Sequence, residues 1–534
     1  MTTKVGFERQ QQVGSLDRSA IMQLKPQDER IRKVSLETLR DRQSFLPKGP
    51  RHFIILLTGD THSNIEPTVA SFVSPNSMGG CVRRIQYLEQ MILRSKAPVL
   101  PVDAGDFLQG TGYFEQFEGK PEIQCMDLAG YRVITIGNHD LDKGWEHLKK
   151  LLQEGSFDAV CANIFIEGTD ISCLAPYVLF DIEETSVAVV GVMGMDSWQS
   201  IRPSDRKGLE IKNPMEVLDS CLPEIRSHVD VVILLSHSGI KEDRELAKHP
   251  MVDIVLGGHS HTWMTEQELI ISSAGHEEKK TPVFHAFRNG MLVGKMEVYL
   301  ERDKLLSTTA SVEYLDEQFD PPLEGLSQLM KESLRLFNGY KEEMEMFNIP
   351  LGECIETLPT KDKGLHLVPI GQAIAEAFRE VGGAQVGLIP SGSIKVGVEK
   401  GVFTLETLHR ILAHKESLWT LTCTGKLLKT LMLEGDKRWG NQRTFQYAGI
   451  ELIRDGAQVM DFRIDGDSII DDNSYRIAAP SFFFEREFMD QEGVVLPQYS
   501  EDIKYIEKRS EDLRDAVARL IQSKGLGVWI KGVD

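Results

Sequence analysis

The chain has 534 residues, of which 41% are hydrophobic and 26% charged, the proportions of an ordinary globular protein, which excludes a collagenous or largely disordered chain. Its length exceeds what one hydrophobic core usually organises and predicts two or three domains. Eighty Asp and Glu against sixty Lys and Arg leave a formal charge of −20, so the surface as a whole repels nucleic acid and anionic membrane, and an anionic ligand must be drawn by local positive charge such as bound metal ions.

Residues 1–49 form a polar N-terminal extension with alternating charges, flexible or partly helical and without visible chemistry. Its start mixes charge and Gln where a secretory signal needs a short apolar run, and no apolar run in the chain reaches the roughly 18 residues of a membrane span. The expectation is a cytoplasmic protein that engages neither membrane nor nucleic acid. Seven cysteines, odd in number and without a CxxC pair, point to neither a disulfide framework nor a thiolate metal site. From His52 the pattern changes to short β-branched runs separated by helical stretches, the sign of an α/β or αββα layered domain over residues 50–316. Strands are predicted at 53–59, 98–105, 131–138, 187–194, 230–237 and 253–259. Each runs into a loop carrying His, Asp or Asn, and the ends of neighbouring strands converge at one sheet edge, where ligand sites form. Strands within 282–300 close this domain, and an amphipathic helical linker spans 317–346. A second α/β domain occupies 347–534, with a helix at 371–382 and strands at 384–390, 418–423 and 475–480.

Five strand-end motifs carry oxygen and nitrogen donors: GDTHSN with Asp60 and His62, AGDFLQG with Asp106, GNHDLD with Asn138, SHSG with His237, and GGHSH with His259 and His261. Singly these are ordinary turn and hydrogen-bonding residues. Together, mixed carboxylate, imidazole and amide donors suit two borderline divalent ions such as Zn, Mn, Fe or Co. Alternation along an extended segment would point Asp60 and His62 to one side, and likewise His259 and His261, so that each pair grips one site. His139 lies beside Asn138 and is placed to serve a leaving group, with Asp142 three residues on to orient it. A hydrogen bond to Asp60 or Asp106 is the alternative for His139, and a helix N-cap the alternative for Asp142. Asp103 and Asp140 read as turn and packing residues, His52 and His147 as surface groups, and Asn163 as a strand-end hydrogen bonder.

The order GDTH, GD, GNHD, H, GHSH resembles the calcineurin-like metallophosphoesterases, and with the second domain the whole resembles the 5′-nucleotidase and UDP-sugar hydrolase family. The resemblance implies that Asp60, His62 and His261 bind a first metal, that Asn138, His237 and His259 bind a second, and that Asp106 bridges both, with a shared hydroxide as nucleophile. His139 and Asp142 match the family's Asn-His-x-x-Asp dyad. The second domain would supply the pocket for a small phosphorylated substrate, expected to be a nucleotide. Its motifs depart from the family: PSGSIK, with Ser391, Gly392 and Lys395, stands where an Asn-x-Gly-Gly-Ile-Arg stretch is usual, and Lys395 lacks the bidentate fork of Arg. Phe445 is the candidate for the first of the two aromatic rings that sandwich the base, and Phe484 and Phe488 are candidates for the second, with apolar packing the alternative for Phe482 to Phe484. The expected activity is two-metal hydrolysis of a phosphomonoester. The alternatives are a cyclic-nucleotide diesterase, a nucleotide-sugar or dinucleotide pyrophosphohydrolase, and, from another class, a nucleotide-binding regulatory protein.

Overall fold

The computed structural model describes residues 23–40, 50–70, 73–274, 277–301, 304–322, 324–438, 444–456, 458–490 and 493–524. The chain divides into two compact units, Met1–Gln109 with Gln116–Glu343, and Met344–Asp534 with Gly110–Glu115. Both are α/β, and no helix among the described residues is long and apolar enough to cross a membrane.

In the first unit two mixed sheets lie face to face. One runs in the order Lys304–Tyr314, Leu292–Glu301, Pro50–Thr58, Val99–Asp103, Val133–Ile134, Asp158–Ala159, and its last four strands are parallel. The other runs Ile31–Val34, Tyr177–Ile182, Thr185–Met193, Val231–His237, Ile254–Gly257, Glu277–His285, Glu268–Ala274, with the four strands from Thr185 to His285 parallel. Alternation along the strands sorts the side chains. Phe53, Ile55 and Leu57 meet Val187, Val189, Ile233 and Leu235 between the sheets. Ala188, Val190, Val192 and Leu234 face the other way, onto Leu218, Leu222 and Ile225 of helix Pro214–Arg226. Burial on both faces explains why these strands read as continuous apolar runs, and the layers are αββα as expected. All parallel strands deliver their carboxyl ends to one edge, where Asp60, Asp106, Asn138, His237 and His259 follow.

Two segments do more than their sequences suggest. Within the N-terminal extension, residues 1–22 and 41–49 lie outside the described residues, but Ile31–Val34 pairs antiparallel with Leu179–Ile182 and adds a strand to the second sheet. Arg30 donates to the carbonyls of Lys96 at 2.7 Å and Ala97 at 3.1 Å, just beyond helix Cys81–Arg94. Helix Gln328–Glu343, expected as a linker, packs on the first unit: Tyr340 donates to Gln124 Oε1 at 2.7 Å and meets Phe117 edge to face.

The second unit is a five-stranded sheet in the order Phe445–Ala448, Val386–Pro390, Ser474–Pro480, Leu418–Thr424, Ile503–Glu507. Helices Pro369–Gly382 and Leu513–Lys524 contribute to one apolar core, and Gly425–Lys437 and Ser481–Phe488 to a second.

Candidate metal centre

The loops after the first unit's parallel strands bring the seven sequence-predicted donors together. Donor atoms of Asp60, His62 and His261 all lie within 4.8 Å of one another, as do those of Asp106, His237 and His259. Asn138 Oδ1 faces the second group, 2.9 Å from His259 Nδ1. Asp106 Oδ2 looks both ways, 3.2 Å from His237 Nε2 and 3.9 Å from His62 Nε2.

The means of convergence is not strand alternation. Asp60, His62, Asp106, His259 and His261 all have left-handed backbones, with φ of 51°, 47°, 57°, 76° and 50°, a conformation that non-glycine residues hold only where the surroundings enforce it. These turns aim the side chains. They also divide the GGHSH pair, sending His261 to Asp60 and His62 and His259 to Asp106 and His237, so the expectation that this pair grips one site is corrected.

The residues fit divalent cations. His62 Nδ1 lies 3.2 Å from the Gln109 carbonyl and His237 Nδ1 lies 2.7 Å from the Ala104 carbonyl. A carbonyl only accepts, so each Nδ1 carries the proton and each Nε2 turns its lone pair inward, the arrangement of metal-binding imidazoles. His62 Nε2 and His261 Nε2 stand 2.9 Å apart. Burial opposes ionisation of Asp106, yet His237, His139 and His62 hold its carboxyl well below the usual range. Burial likewise disfavours a charged His237, but Asp106 and Asp60 outweigh it and raise that imidazole to about 10. The cluster is thus anion-rich and draws positive charge, which binding of a cation supplies while displacing protons.

Several supporting residues escaped the sequence reading. Asp140, expected to be a turn residue, is 1% exposed and clamps two loops: its carboxylate accepts from Asp106 N at 2.9 Å, Leu108 N at 2.9 Å and Gly137 N at 2.7 Å. Asp140→Ala should therefore destabilise the fold by about 1–3 kcal/mol for each N–H left without an acceptor. Denaturant unfolding checks this, and an unchanged midpoint would refute the clamp. Gly137 must lack a side chain, because a Cβ there would stand 2.1 Å from Asp106 Oδ1. Ser197 Oγ donates to Asn138 Oδ1 at 3.1 Å. Only Asp140 left a signal, as an extra carboxylate inside a motif already rich in donors.

His139 Nδ1 meets Asp142 Oδ2 at 3.1 Å, and the His139 backbone N–H donates to Asp106 Oδ1 at 2.8 Å. Asp142 is not the N-cap of helix Trp145–Glu154, which begins after Gly144 and has no side-chain cap. Asn163 ties strands together, accepting from Met193 N at 2.9 Å and donating to the Met193 and Lys212 carbonyls. Asp103 accepts from Thr58 Oγ1 at 2.6 Å and Gly105 N at 2.9 Å. His52 and His147 are not free surface groups: His52 pairs with Glu297 at 2.6 Å and stacks on Tyr299, and His147 Nε2 donates to the Glu118 carbonyl at 2.9 Å.

In the second unit the aromatic candidates are corrected. Phe445 and Phe488 are each 2% exposed and belong to the apolar core with Phe483 and Phe484, with ring centroids 5.7 Å apart for Phe445 and Phe483. Rings so enclosed offer no face to a base. Ser391 is buried beneath the turn Ser391–Ser393, its Oγ accepting from Gln446 Nε2 at 3.3 Å, while Gly392 is exposed and Lys395 half-buried. Gln446, 0% exposed and unforeseen, also accepts from Val368 N and donates to the carbonyls of Lys363 and His366.

Comparison with known proteins agrees with both units. Residues 53–263 match the calcineurin-like phosphoesterase family and residues 354–488 the 5′-nucleotidase C-terminal domain. The trifunctional nucleotide phosphoesterase YfkN of Bacillus subtilis is 25% identical over 80% of this chain, which spans 31% of that longer protein. Human 5′-nucleotidase is 24% identical over 76% of each chain. Among solved structures, the 5′-nucleotidase precursor of Thermus thermophilus superposes with a TM-score of 0.77 at 22% identity, covering 88% of this chain and 96% of that one. The T. thermophilus sulfate thiohydrolase SoxB shares the fold at a TM-score of 0.71 and 16% identity.

Proposed function

Because the chain belongs to the calcineurin-like phosphoesterases, is a metal-dependent phosphoric ester hydrolase and carries the 5′-nucleotidase C-terminal domain, we propose that it hydrolyses a phosphomonoester of nucleotide size. The observation that carries this reading is the meeting of two donor groups on either side of Asp106, with the His139–Asp142 pair beside them. Asp60, His62 and His261 would hold one divalent ion, Asn138, His237 and His259 another, and Asp106 would bind both. The donor set suits Zn, Mn, Fe or Co. When bound, such ions polarise a phosphoryl oxygen and lower the pKa of water.

The chain's own residues supply the rest. The backbone carbonyls of Gln109 and Ala104 keep His62 and His237 in the tautomer that presents Nε2 inward. His139, oriented through Nδ1 by Asp142, offers its other ring nitrogen as the acid that protonates the departing alkoxide. In the second unit, exposed Gly392 and half-buried Lys395 are the substrate contacts this reading retains.

A panel of nucleoside monophosphates, cyclic nucleotides, UDP-glucose and bis(p-nitrophenyl) phosphate, assayed with added Mn, Zn or Co, tests it. Metal-dependent phosphate release from the monophosphates should exceed turnover of every diester. Faster turnover of cyclic nucleotides or UDP-glucose would move the assignment to a diesterase or pyrophosphohydrolase. No turnover by folded, metal-loaded protein would overturn the proposed substrate class.

A further inference from the structure

Behind the loop carrying Asp60 and His62 lies a cation without a carboxylate partner. Arg84, in helix Cys81–Arg94, is 4% exposed, and its Nη2 donates to Cys125 Sγ at 3.0 Å and Cys81 Sγ at 3.5 Å. Among the described residues no carboxylate forms an ion pair with it. The nearby acids are otherwise engaged or suppressed: Asp103 is bonded to Thr58 and Gly105, and burial pushes Glu122 up to about 7. A guanidinium keeps its proton, and a buried charge demands a counter-charge. Sulfur is what the fold provides. Cys81 opens its helix after Gly80, its N–H donating to the Ile65 carbonyl at 2.8 Å, and burial together with Cys125 pushes its thiol well up, leaving the negative charge to Cys125. Cys125 sits in helix Lys120–Ala129, and both sulfurs lie against the same Arg84 nitrogen, at 3.0 and 3.5 Å. Burial alone would raise the Cys125 thiol, but Cys81 and Arg84 bring it down to about 7.

We infer that Cys81 and Cys125 are a thiol–thiolate pair held by Arg84, an oxidation site for hydroperoxides that closes to a disulfide between the two helices. The Cys125 thiolate attacks the peroxide O–O bond, forming an S–O bond and releasing hydroxide, which takes a proton from solvent. The Cys81 thiol then attacks that sulfur, the S–S bond forms, and the oxygen leaves as water with the Cys81 proton. The two sulfurs lose two electrons in all, and the peroxide gains them. Both cysteines are 0% exposed, so hydrogen peroxide, scarcely larger than water, would reach them through local opening.

The other cysteines provide an internal comparison. Cys173 and Cys221 are more exposed, yet burial without a cation pushes both thiols up, Cys221 to about 11. Exposure and charge therefore predict opposite orders of reaction. The full-length chain would be treated with hydrogen peroxide, quenched with catalase, unfolded in iodoacetamide, digested and mapped by mass spectrometry. A Cys81–Cys125 linked peptide should accumulate about tenfold faster than Cys173 or Cys221 is modified. In Cys81→Ser, dimedone present as the peroxide-treated chain is unfolded should label Cys125 as the trapped sulfenic acid. Oxidation of Cys173 or Cys221 first, or Cys81 and Cys125 both recovered alkylated, would overturn the inference, as would an unlabelled Cys125 in the folded variant. The mapping requires no catalysis, so its failure is separate from failure of the proposed activity.

Discussion

Asp106→Asn should lower metal-dependent turnover by about 10³-fold or more and reduce the metal retained after gel filtration below that of the wild type. The amide keeps the shape of the carboxylate and leaves an oxygen to accept the His139 backbone N–H, now 2.8 Å from Asp106 Oδ1, so the loop should survive. What disappears is the one negative charge that faces both donor groups, with His237 and His62 on its two sides. Elemental analysis alongside kcat decides the matter. Wild-type metal content and wild-type turnover together would sink the bridging role. The same measurement on His62→Ala separates bridging from ordinary ligation, because losing a residue of one group should weaken one ion more than the other.

For His139→Ala we expect the opposite division of effects: metal content unchanged and kcat reduced about 10²- to 10⁴-fold, the range for a general acid. The imidazole points its Nδ1 at Asp142, while its backbone N–H bonds Asp106. The loss should depend on the leaving group. A nucleoside alkoxide needs a proton, whereas p-nitrophenolate departs without one, so the variant should recover most of its deficit on p-nitrophenyl phosphate. An equal deficit on both substrates would show that His139 holds the site together rather than giving up a proton. Asp142→Asn should reproduce the pattern more weakly, since the amide oxygen can still hold Nδ1 but without the charge of the carboxylate.

The residues that converge were legible because β-branched runs announce strands, and strands of a parallel sheet end together. How they converge was not. Asp60 and His62 looked like alternating strand residues, but their left-handed backbones belong to a turn whose N–H groups donate to the carbonyls of Gly105 and Asp106, in a loop that Asp140 in turn clamps, and a sequence does not display three N–H groups aimed at one carboxylate. Phe445 and Phe488 failed for another reason. Aromatic residues near a family's pocket position look alike whether they face a ligand or a core, and burial at 2% exposure separates the two. Gln446 shows the converse: a polar residue in a short strand reads as exposed, although here its amide holds three backbone groups of the segment 363–368 from inside.

The small strand Ile31–Val34 has a consequence for how the chain can be cut. It lies along Tyr177–Ile182 at the margin of the seven-stranded sheet, pinned where Arg32 meets Asp181 at 2.8 Å and Lys33 meets Asp158 at 2.5 Å. A fragment trimmed to the boundary of the phosphoesterase match, at residue 53, would leave Tyr177–Ile182 as an open margin whose amides and carbonyls can template a strand from another copy. Residues that carry no chemistry thus act as a guard against self-association, presenting to solvent a margin that carries two positive charges.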